Sequence, residues 1–440
     1  MLRTIQERLR PLLQSHWFML PIFIAAALII VLQAPIEGTI AFVLLICLLL
    51  VLSENTAITL LPFSLLCMFV LKEYNSFDRF IKLWWLAIPV VPSLLYHLIV
   101  FREKPKKSIL PWGIGAVAFS ITFGGLGSIS GAEYFTGANL YYVAGLGIGM
   151  LFLHHLISAK YHSRPDFDLK EYLCLVFYLI GIFGVFMLFQ HFAINWAVIK
   201  ETGKLPYIQW SNNLSTFLMI SLPFGFYFTR KNALHMIPTL LMMVSMLLSG
   251  SRAPLIFGVM EYFICVFVFT KLDRKKWYVY VGPMILAVLA VLLLHKQVFD
   301  YVLNIMRSYD GLEDEPRYKM ALRSWEEFKS NPLFGSGLGS TSRQDIYNPK
   351  KFAMNWYHSA PFQIFGSLGL VGISAYGFQW YTRIKVFLSR RTVFGYTLML
   401  SQVGLFLMSM VNPGFFCPLP YEFFMVIFFA VLINEEPASK

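Results

Sequence analysis

Long apolar runs recur along the whole chain and are separated by short polar connectors. A helix needs about 20 apolar residues to cross the roughly 30 Å of hydrocarbon in a bilayer, and most of these runs reach or approach that length. We therefore predict an all-α fold, a polytopic membrane helix bundle of about 12 to 14 transmembrane helices. The composition agrees, because 57% of the residues are hydrophobic and only 14% are charged, unlike an average soluble domain.

The formal charge of +12 is spread over the connectors rather than gathered on one polar face. Clusters of Lys and Arg occupy alternate connectors, at residues 102–107, 160–170, 230–231, 271–276 and 383–391. This is the positive-inside pattern, which places basic connectors in the cytoplasm and argues against nucleic acid as a partner. We therefore predict a multi-pass protein of the plasma membrane with both termini in the cytoplasm.

The longest polar stretch, residues 295–357, lies on the outer side in this topology and is nearly neutral. We predict that it forms a small helical extracytoplasmic subdomain. It would follow transmembrane helices 1–11 in residues 1–294 and precede the C-terminal transmembrane helices in residues 358–440.

Residues 317–330 of this stretch have the pattern of an amphipathic helix. Its apolar face is predicted to contain Met320, Ala321, Trp325 and Phe328. The other faces are predicted to carry Arg323, Glu326, Glu327 and Lys329. Pro316 suits the first turn, Asn331-Pro332 suits the end, and the glycines that follow predict a flexible turn back to the membrane.

The sequence contains no recognisable metal or nucleotide motif. None of the five cysteines forms a pair with metal-ligand spacing, and there is no Walker loop. The histidines likewise lack the spacing of a metal site. We therefore predict no metal and no cofactor.

Arg252 lies in Ser251-Arg252-Ala253-Pro254, at the start of a span that runs from outside to inside. Ser251 is the expected N-cap, and a proline is tolerated in the first helical turn. The positive end of the helix dipole and the guanidinium would together make an anion site on the outer face. The alternative is that Arg252 anchors the span among lipid headgroups.

His358 has a similar position, because Pro361 falls in the first turn of another outside-to-inside span. The helix N-terminus favours the neutral imidazole, which can accept a proton as a general base must. The alternative is an interfacial histidine in an aromatic belt with Trp356 and Tyr357. Gly366, Gly369 and Gly372, farther along this span, are expected only to let helices pack closely.

Other polar residues are candidates for binding. Glu422 is an acid inside a span, which makes it a functional candidate unless it lies at the outer interface. Asn213 begins an outside-to-inside span and would bind a polar ligand or cap the helix. Arg317 and Arg323 lie on the external helix. Arginines beside a neutral base suit an anionic lipid phosphate.

Three stretches occur in the order and at the spacing of a known signature. They are Ser251-Arg252-Ala253-Pro254, then Arg317 fifteen residues before Pro332-Leu333-Phe334-Gly335-Ser336-Gly337, then His358-Ser359 followed after nine residues by Gly369 and after two more by Gly372. Together they resemble the bacterial O-antigen ligase family. Its superfamily also includes O-antigen polymerases and protein O-oligosaccharyltransferases.

The resemblance implies a metal-independent, inverting glycosyltransferase that needs no cofactor. Its donor would be an undecaprenyl-diphosphate-linked glycan, used on the periplasmic face of a bacterial inner membrane. His358 would be the general base, and Arg252 and Arg317 would hold the diphosphate. Asn213 and Arg323 join the arginines as predicted substrate-binding residues.

The acceptor divides the possible activities. Transfer to a lipid A–core glycolipid would be O-antigen ligation, which we expect, whereas transfer to another glycan would be polymerisation. A lipid-glycan flippase or transporter is the alternative from another class, and it predicts charged residues deep in several spans and internal repeats. A binding-only scaffold is the third possibility, but it gives no reason for arginines and His358 to gather on the outer face.

Overall fold

The structure is a computed structural model. It describes residues 2–72, 79–80, 82–127, 142–161, 167–206, 208–293, 296, 300, 314–338, 357–412, 414–416 and 421–434. Most of the predicted subdomain at residues 295–357 therefore lies outside the described residues. The predicted division into membrane and extracytoplasmic segments stays a prediction.

The regular elements in this part of the chain are helices, which confirms the all-α fold. The first nine α-helices are α1 (Leu2–Leu13), α2 (Met19–Val31), α3 (Pro35–Leu52), α4 (Leu60–Lys72), α5 (Ala87–Val100), α6 (Leu110–Phe123), α7 (Gly149–Lys160), α8 (Leu169–Ile194) and α9 (Trp196–Thr202). The next eight are α10 (Ser211–Lys231), α11 (Met236–Leu248), α12 (Arg252–Leu272), α13 (Trp277–Leu293), α14 (Asp314–Ser330), α15 (Ala360–Ser389), α16 (Val393–Ser409) and α17 (Tyr421–Ile433).

Several of these helices can cross a bilayer. Within the described residues, four segments have the required length and hydropathy: α3, α8, α12 and Val143–Lys160, which contains a π-helical turn followed by α7. A bend of 84° separates Thr4–Leu13 from His16–Val31. Taken together as one segment, these two helices also have the required length and hydropathy. The same part of the chain also contains six shorter apolar helices of 10–17 residues. The predicted total of about 12 to 14 crossings stays a prediction.

The described chain divides into two compact units. The first comprises Met1–Pro105 and Ala159–Pro283. Its centre is α10, where the residues from Leu214 to Phe226 are all buried. Small residues allow the close packing, because a Cβ atom at Gly225 would lie 2.4 Å from Oγ1 of Thr239 on α11.

The second unit comprises Lys106–Ser158 and Met284–Lys440, and α15 is its centre. Helix α15 packs against α6 and α14 and also contacts α16 and α17. It is broken at Gly369, whose φ of 60° and ψ of −153° are not helical. Glycine adopts this backbone conformation readily because it has no Cβ atom.

The segment Pro332–Gly337, which we call the glycine turn, repairs this break. In an unbroken helix the N–H groups of Leu370 and Val371 would bond to the carbonyls of Gly366 and Ser367. Instead, Leu370 and Val371 donate to the carbonyls of Pro332 and Leu333, at 2.8 and 3.0 Å. The carbonyls of Gly366 and Ser367 accept from the N–H groups of Ser336 and Gly337, both at 2.9 Å. The expected flexible turn is therefore a bonded part of α15.

The glycines of this region are needed for close backbone contact. A Cβ atom at Gly335 would lie 2.4 Å from the carbonyl carbon of Ser367, and one at Gly366 would lie 2.9 Å from Oγ of Ser324 on α14. The N–H of Gly125, just after α6, donates to the carbonyl of Phe334 at 2.7 Å. The glycine turn thus joins α6, α14 and α15 by backbone contacts.

We predict that Gly369→Ala destabilises the fold. A Cβ atom there would lie 2.6 Å from the carbonyl oxygen of Pro332, and the positive φ alone costs a non-glycine residue about 1 to 3 kcal/mol. The midpoint of thermal unfolding in detergent should fall. The matched control is Gly377→Ala on the same helix, where no neighbouring atom lies within 4 Å of the added Cβ. Equal midpoints for the two variants would contradict the prediction.

Candidate functional site

Arg252 begins α12 in the first unit and is half-buried. The predicted N-cap is confirmed at Ser251, and Pro254 lies in the first turn. The hydroxyl of Ser251 does not cap the helix, because it donates to Oδ1 of Asn212. This bond ties the start of α12 to the start of α10.

The end of α11 contacts the first turns of α10. Oγ of Ser215 on α10 donates to Oγ of Ser249 at 3.1 Å, and Ser249 donates in turn to the carbonyl of Met246 at 2.8 Å. Ser215, Ser249 and Ser251 are all buried. Asn213, the predicted binding residue, lies in the first turn of α10 and is half-buried, next to the asparagine that contacts Ser251.

Helix α14 in the second unit confirms the helix predicted within residues 295–357, with Pro316 in its first turn and its end at Ser330. Arg317 lies in the first turn, but its side chain is outside the described part of the structure. Arg323 is partly exposed, and its Nε donates to Oε1 of Glu327 at 3.0 Å. The structure thus gives Arg323 a carboxylate partner within its own helix.

The predicted faces of α14 are partly wrong. The buried positions are Met320, Ser324 and Glu327, whereas Trp325 is 48% exposed. The ring of Trp325 instead stacks on Phe328 and on Phe365 of α15, with centroids 5.7 and 5.4 Å away. Hydropathy alone placed Glu327 on a polar face, but hydrogen bonds to the carboxylate allow its burial.

Two hydroxyl groups from other segments reach the same carboxylate. Oγ of Ser336 in the glycine turn donates to Oε2 of Glu327 at 2.5 Å, and the phenol of Tyr357 also donates to Oε2. Burial raises the pKa of Tyr357 well above its usual range, and the negative charge of Glu327 raises this pKa further. The phenol therefore stays protonated and remains a donor.

His358 follows Tyr357 directly and is half-buried, with its Nε2 atom on the buried side. Its φ of 49° lies in the left-handed region, which costs a non-glycine residue about 1 to 3 kcal/mol. Ser359 is the N-cap of α15, and Pro361 lies in the first turn as predicted. Such strain persists only where neighbouring contacts determine the backbone, and it is common at functional sites.

The structure places the predicted residues in both units. Arg252 and Asn213 belong to the first unit, and Arg317, Arg323 and His358 belong to the second. Within the second unit, hydrogen bonds link Arg323 through Glu327 to Tyr357, the neighbour of His358. Sequence reasoning missed Glu327 because its partner Tyr357 is far away in the chain.

Comparison with known families bears on these residues. Residues 237–377, from α11 into α15, match the family described as O-antigen ligase. We call this matched segment the O-antigen ligase domain. The match confirms the resemblance drawn from the sequence, and that family implies a glycosyltransferase-like enzyme. No curated protein and no solved structure matches the chain in the corresponding comparisons.

The O-antigen ligase domain includes Arg252, Arg317, Arg323 and His358, together with the newly found Glu327. It also includes the glycine turn and the break at Gly369. Asn213 precedes the domain. The match therefore surrounds the residues of the predicted signature, while the chemical role of each residue stays a prediction.

Glu422, outside the O-antigen ligase domain, is a buried ion-pair partner. It accepts from Nη2 of Arg383 and from Nε2 of Gln379, the latter at 3.2 Å, and Arg383 also donates to Gln402 at 2.7 Å. We expected Arg383 in a basic connector, but α15 continues to Ser389 and buries this arginine. The pair is thus part of the packing of α15 against α16 and α17.

Glu261 is a second acid that sequence reasoning missed. It lies within α12, is fully buried, and neither carboxylate oxygen has a hydrogen-bond partner among the described residues. The signal was present in the sequence, because Glu261 interrupts an apolar run. A carboxylate in such a helix is a functional candidate by default.

An apolar groove of about 470 Å³ opens beside the break in α15. It is lined by Ala116, Phe119, Leu333, Leu370, Val371, Ser374 and Ala375. A lining of this kind suits a hydrocarbon chain better than a glycan.

Among the described residues, no group of three or more His, Cys, Asp or Glu is arranged to hold a metal ion.

We predict that the Arg383–Glu422 pair contributes to stability only as a pair. Arg383→Leu leaves a buried carboxylate without its cation and should cost about 3 to 5 kcal/mol, whereas Arg383→Leu with Glu422→Leu should recover most of this loss. Unfolding in detergent measures both. The control is Arg10→Leu, which removes an exposed pair with Glu54 and should cost less than about 1 kcal/mol. A double variant as unstable as the single one would contradict the prediction.

Proposed function

We propose that this protein transfers a glycan from an undecaprenyl-diphosphate-linked donor to a hydroxyl of a lipid A–core acceptor. The reaction would take place on the periplasmic face of a bacterial inner membrane, with both termini in the cytoplasm. The observation that carries the proposal is the O-antigen ligase domain at residues 237–377, which contains His358, Arg252 and Arg317. The basic connectors support the orientation.

His358 is the proposed general base. It accepts the proton of the acceptor hydroxyl while the hydroxyl oxygen attacks the anomeric carbon of the donor. The bond between this carbon and the diphosphate oxygen breaks, and the diphosphate leaves with the bonding electrons. Attack from the opposite side inverts the anomeric configuration. The left-handed backbone of His358 supports the assignment, since strained residues are common at functional sites.

Arg252 and Arg317 are the proposed partners of the diphosphate, with Asn213 and Arg323 as further binding residues. The charge on the leaving oxygen grows as the bond breaks, so guanidinium groups stabilise the transition state more than the bound donor. Arginine also binds phosphate oxygens in a bidentate manner. Arg252 begins a helix, and the positive end of the helix dipole supports an anion there.

A lipid-linked donor also needs room for its hydrocarbon chain. The groove beside Gly369 is apolar and lies on the same helix that His358 precedes. These properties support an isoprenoid-linked donor over a soluble nucleotide sugar.

Two alternatives remain to be separated from ligation. Polymerisation would use the same chemistry with another lipid-linked glycan as the acceptor, and it yields a ladder of products instead of one. A lipid-glycan flippase is favoured by the buried Glu261, because intramembrane carboxylates often mark ion pathways. A flippase moves the donor between leaflets but leaves it chemically unchanged.

We predict that His358→Ala lowers the rate of transfer by about 10² to 10⁴-fold, the usual contribution of a general base. The assay is glycan transfer in proteoliposomes that contain the lipid-linked donor and a lipid A–core acceptor. The control is His16→Ala, at an exposed position before α2, which should transfer at the wild-type rate. Normal transfer by His358→Ala would remove this residue from the mechanism.

We also predict that Arg252→Lys and Arg317→Lys each lower kcat by about 10²-fold, because a point charge does not replace a bidentate phosphate contact. The same assay measures this. The control is Arg274→Lys, in the connector predicted to be cytoplasmic, which should have no effect. If both variants keep full activity, the arginines serve only as interfacial anchors.

A further inference from the structure

Glu327 is a buried carboxylate that joins three segments of the second unit. It is 1% exposed and accepts hydrogen bonds from Arg323 in its own helix, from Ser336 in the glycine turn and from Tyr357 before α15. A buried carboxylate is tolerated only when donors compensate for lost water, and these three donors do so. The carboxylate therefore fixes where Tyr357 lies relative to α14.

Tyr357 has a second attachment through its backbone. Its N–H donates to Oε1 of Gln363 at 3.3 Å. Gln363 is fully buried, and its Nε2 donates to Oγ of Ser367 at 2.9 Å while its own N–H donates to the carbonyl of Ser359 at 2.8 Å. The side chain and the backbone of Tyr357 are thus both held.

His358 lies between two fixed residues. Tyr357 is held as described, and Ser359 is the buried N-cap of α15. The left-handed φ of 49° is unfavourable for histidine, so the neighbours must impose it. Because this backbone conformation sets the direction of the Cα–Cβ bond, it restricts the positions that the imidazole can reach.

We propose that Glu327 is a positioning residue for glycan transfer, which acts through Tyr357 to hold His358 in the orientation that its role as a base requires. The inference rests on the proposed function for the consequence in catalysis. The positioning itself is a property of the fold and can be measured without any substrate.

The kinetic test uses Tyr357→Phe and Glu327→Gln in the full-length protein in proteoliposomes. Tyr357→Phe keeps the ring but loses the hydroxyl, and Glu327→Gln leaves one carbonyl oxygen for three donors. We expect kcat to fall about 10- to 100-fold, as for a base displaced by on the order of 1 Å. In Tyr357→Phe the KM for the donor should change less than about twofold, since the proposed binding residues Arg252, Arg317 and Arg323 are untouched.

Matched controls are available on the same helix. Glu326→Gln and Tyr318→Phe make the same chemical changes at exposed positions and should transfer at the wild-type rate. A fall in donor affinity as large as the fall in kcat would overturn the positioning role in favour of substrate binding. A wild-type kcat in Tyr357→Phe would also overturn it. This test does not depend on whether the Glu327→Gln variant folds.

The second measurement needs no activity. Diethylpyrocarbonate acylates neutral imidazole, and mass spectrometry of the detergent-solubilised protein gives the acylation rate of His358 relative to the exposed His16. Nε2 of His358 is buried in the native arrangement, so Tyr357→Phe should raise this ratio several-fold and the controls should not. An unchanged ratio would overturn the proposal, even if the unfolding temperature falls. If Tyr357→Phe raises the ratio but the wild-type protein transfers no glycan in the assay, the positioning role is supported and the proposed function is rejected.

Discussion

The structure around His358 depends on hydrogen bonds that replace those lost at the break in α15. Backbone groups without partners are costly in a protein interior and more costly in hydrocarbon. At Gly369 two N–H groups and two carbonyls lose their helical partners, and the glycine turn supplies all four replacements. The turn can lie this close only because Gly335 and Gly369 have no Cβ atom. The signature glycines therefore serve the backbone, not the chemistry.

The position of Glu327 follows from that contact. Once the glycine turn is bonded to α15, Ser336 lies where its hydroxyl meets the Glu327 carboxylate. The same carboxylate accepts the phenol of Tyr357, whose next residue is His358. A repair of backbone hydrogen bonds and the placement of a proposed base are thus parts of one arrangement. The turn, the helix break and the histidine all lie within the segment that matches the O-antigen ligase family.

Local chemistry in the sequence predicted some features well and tertiary features poorly. The helix starts after Ser251 and before Pro361 follow from the preference of proline for the first helical turn, which acts within a few residues. The buried face of α14 was wrong at Trp325 and Glu327, because hydropathy does not report a distant hydroxyl that satisfies a carboxylate. Arg383 was misplaced for the same reason, since its partner Glu422 lies on another helix. Positions fixed by distant partners need the fold.

The break in α15 also imposes an order on folding. The helix beyond Val371 can form from local hydrogen bonds alone, and such bonds form early. The join across Gly369 needs Pro332 and Leu333, which lie far earlier in the chain, so it must wait for a long loop to close. The half of α15 between His358 and Gly369 is therefore joined to the other half only once this loop has closed. The protein can insert its apolar helices before its proposed base has taken up its final geometry.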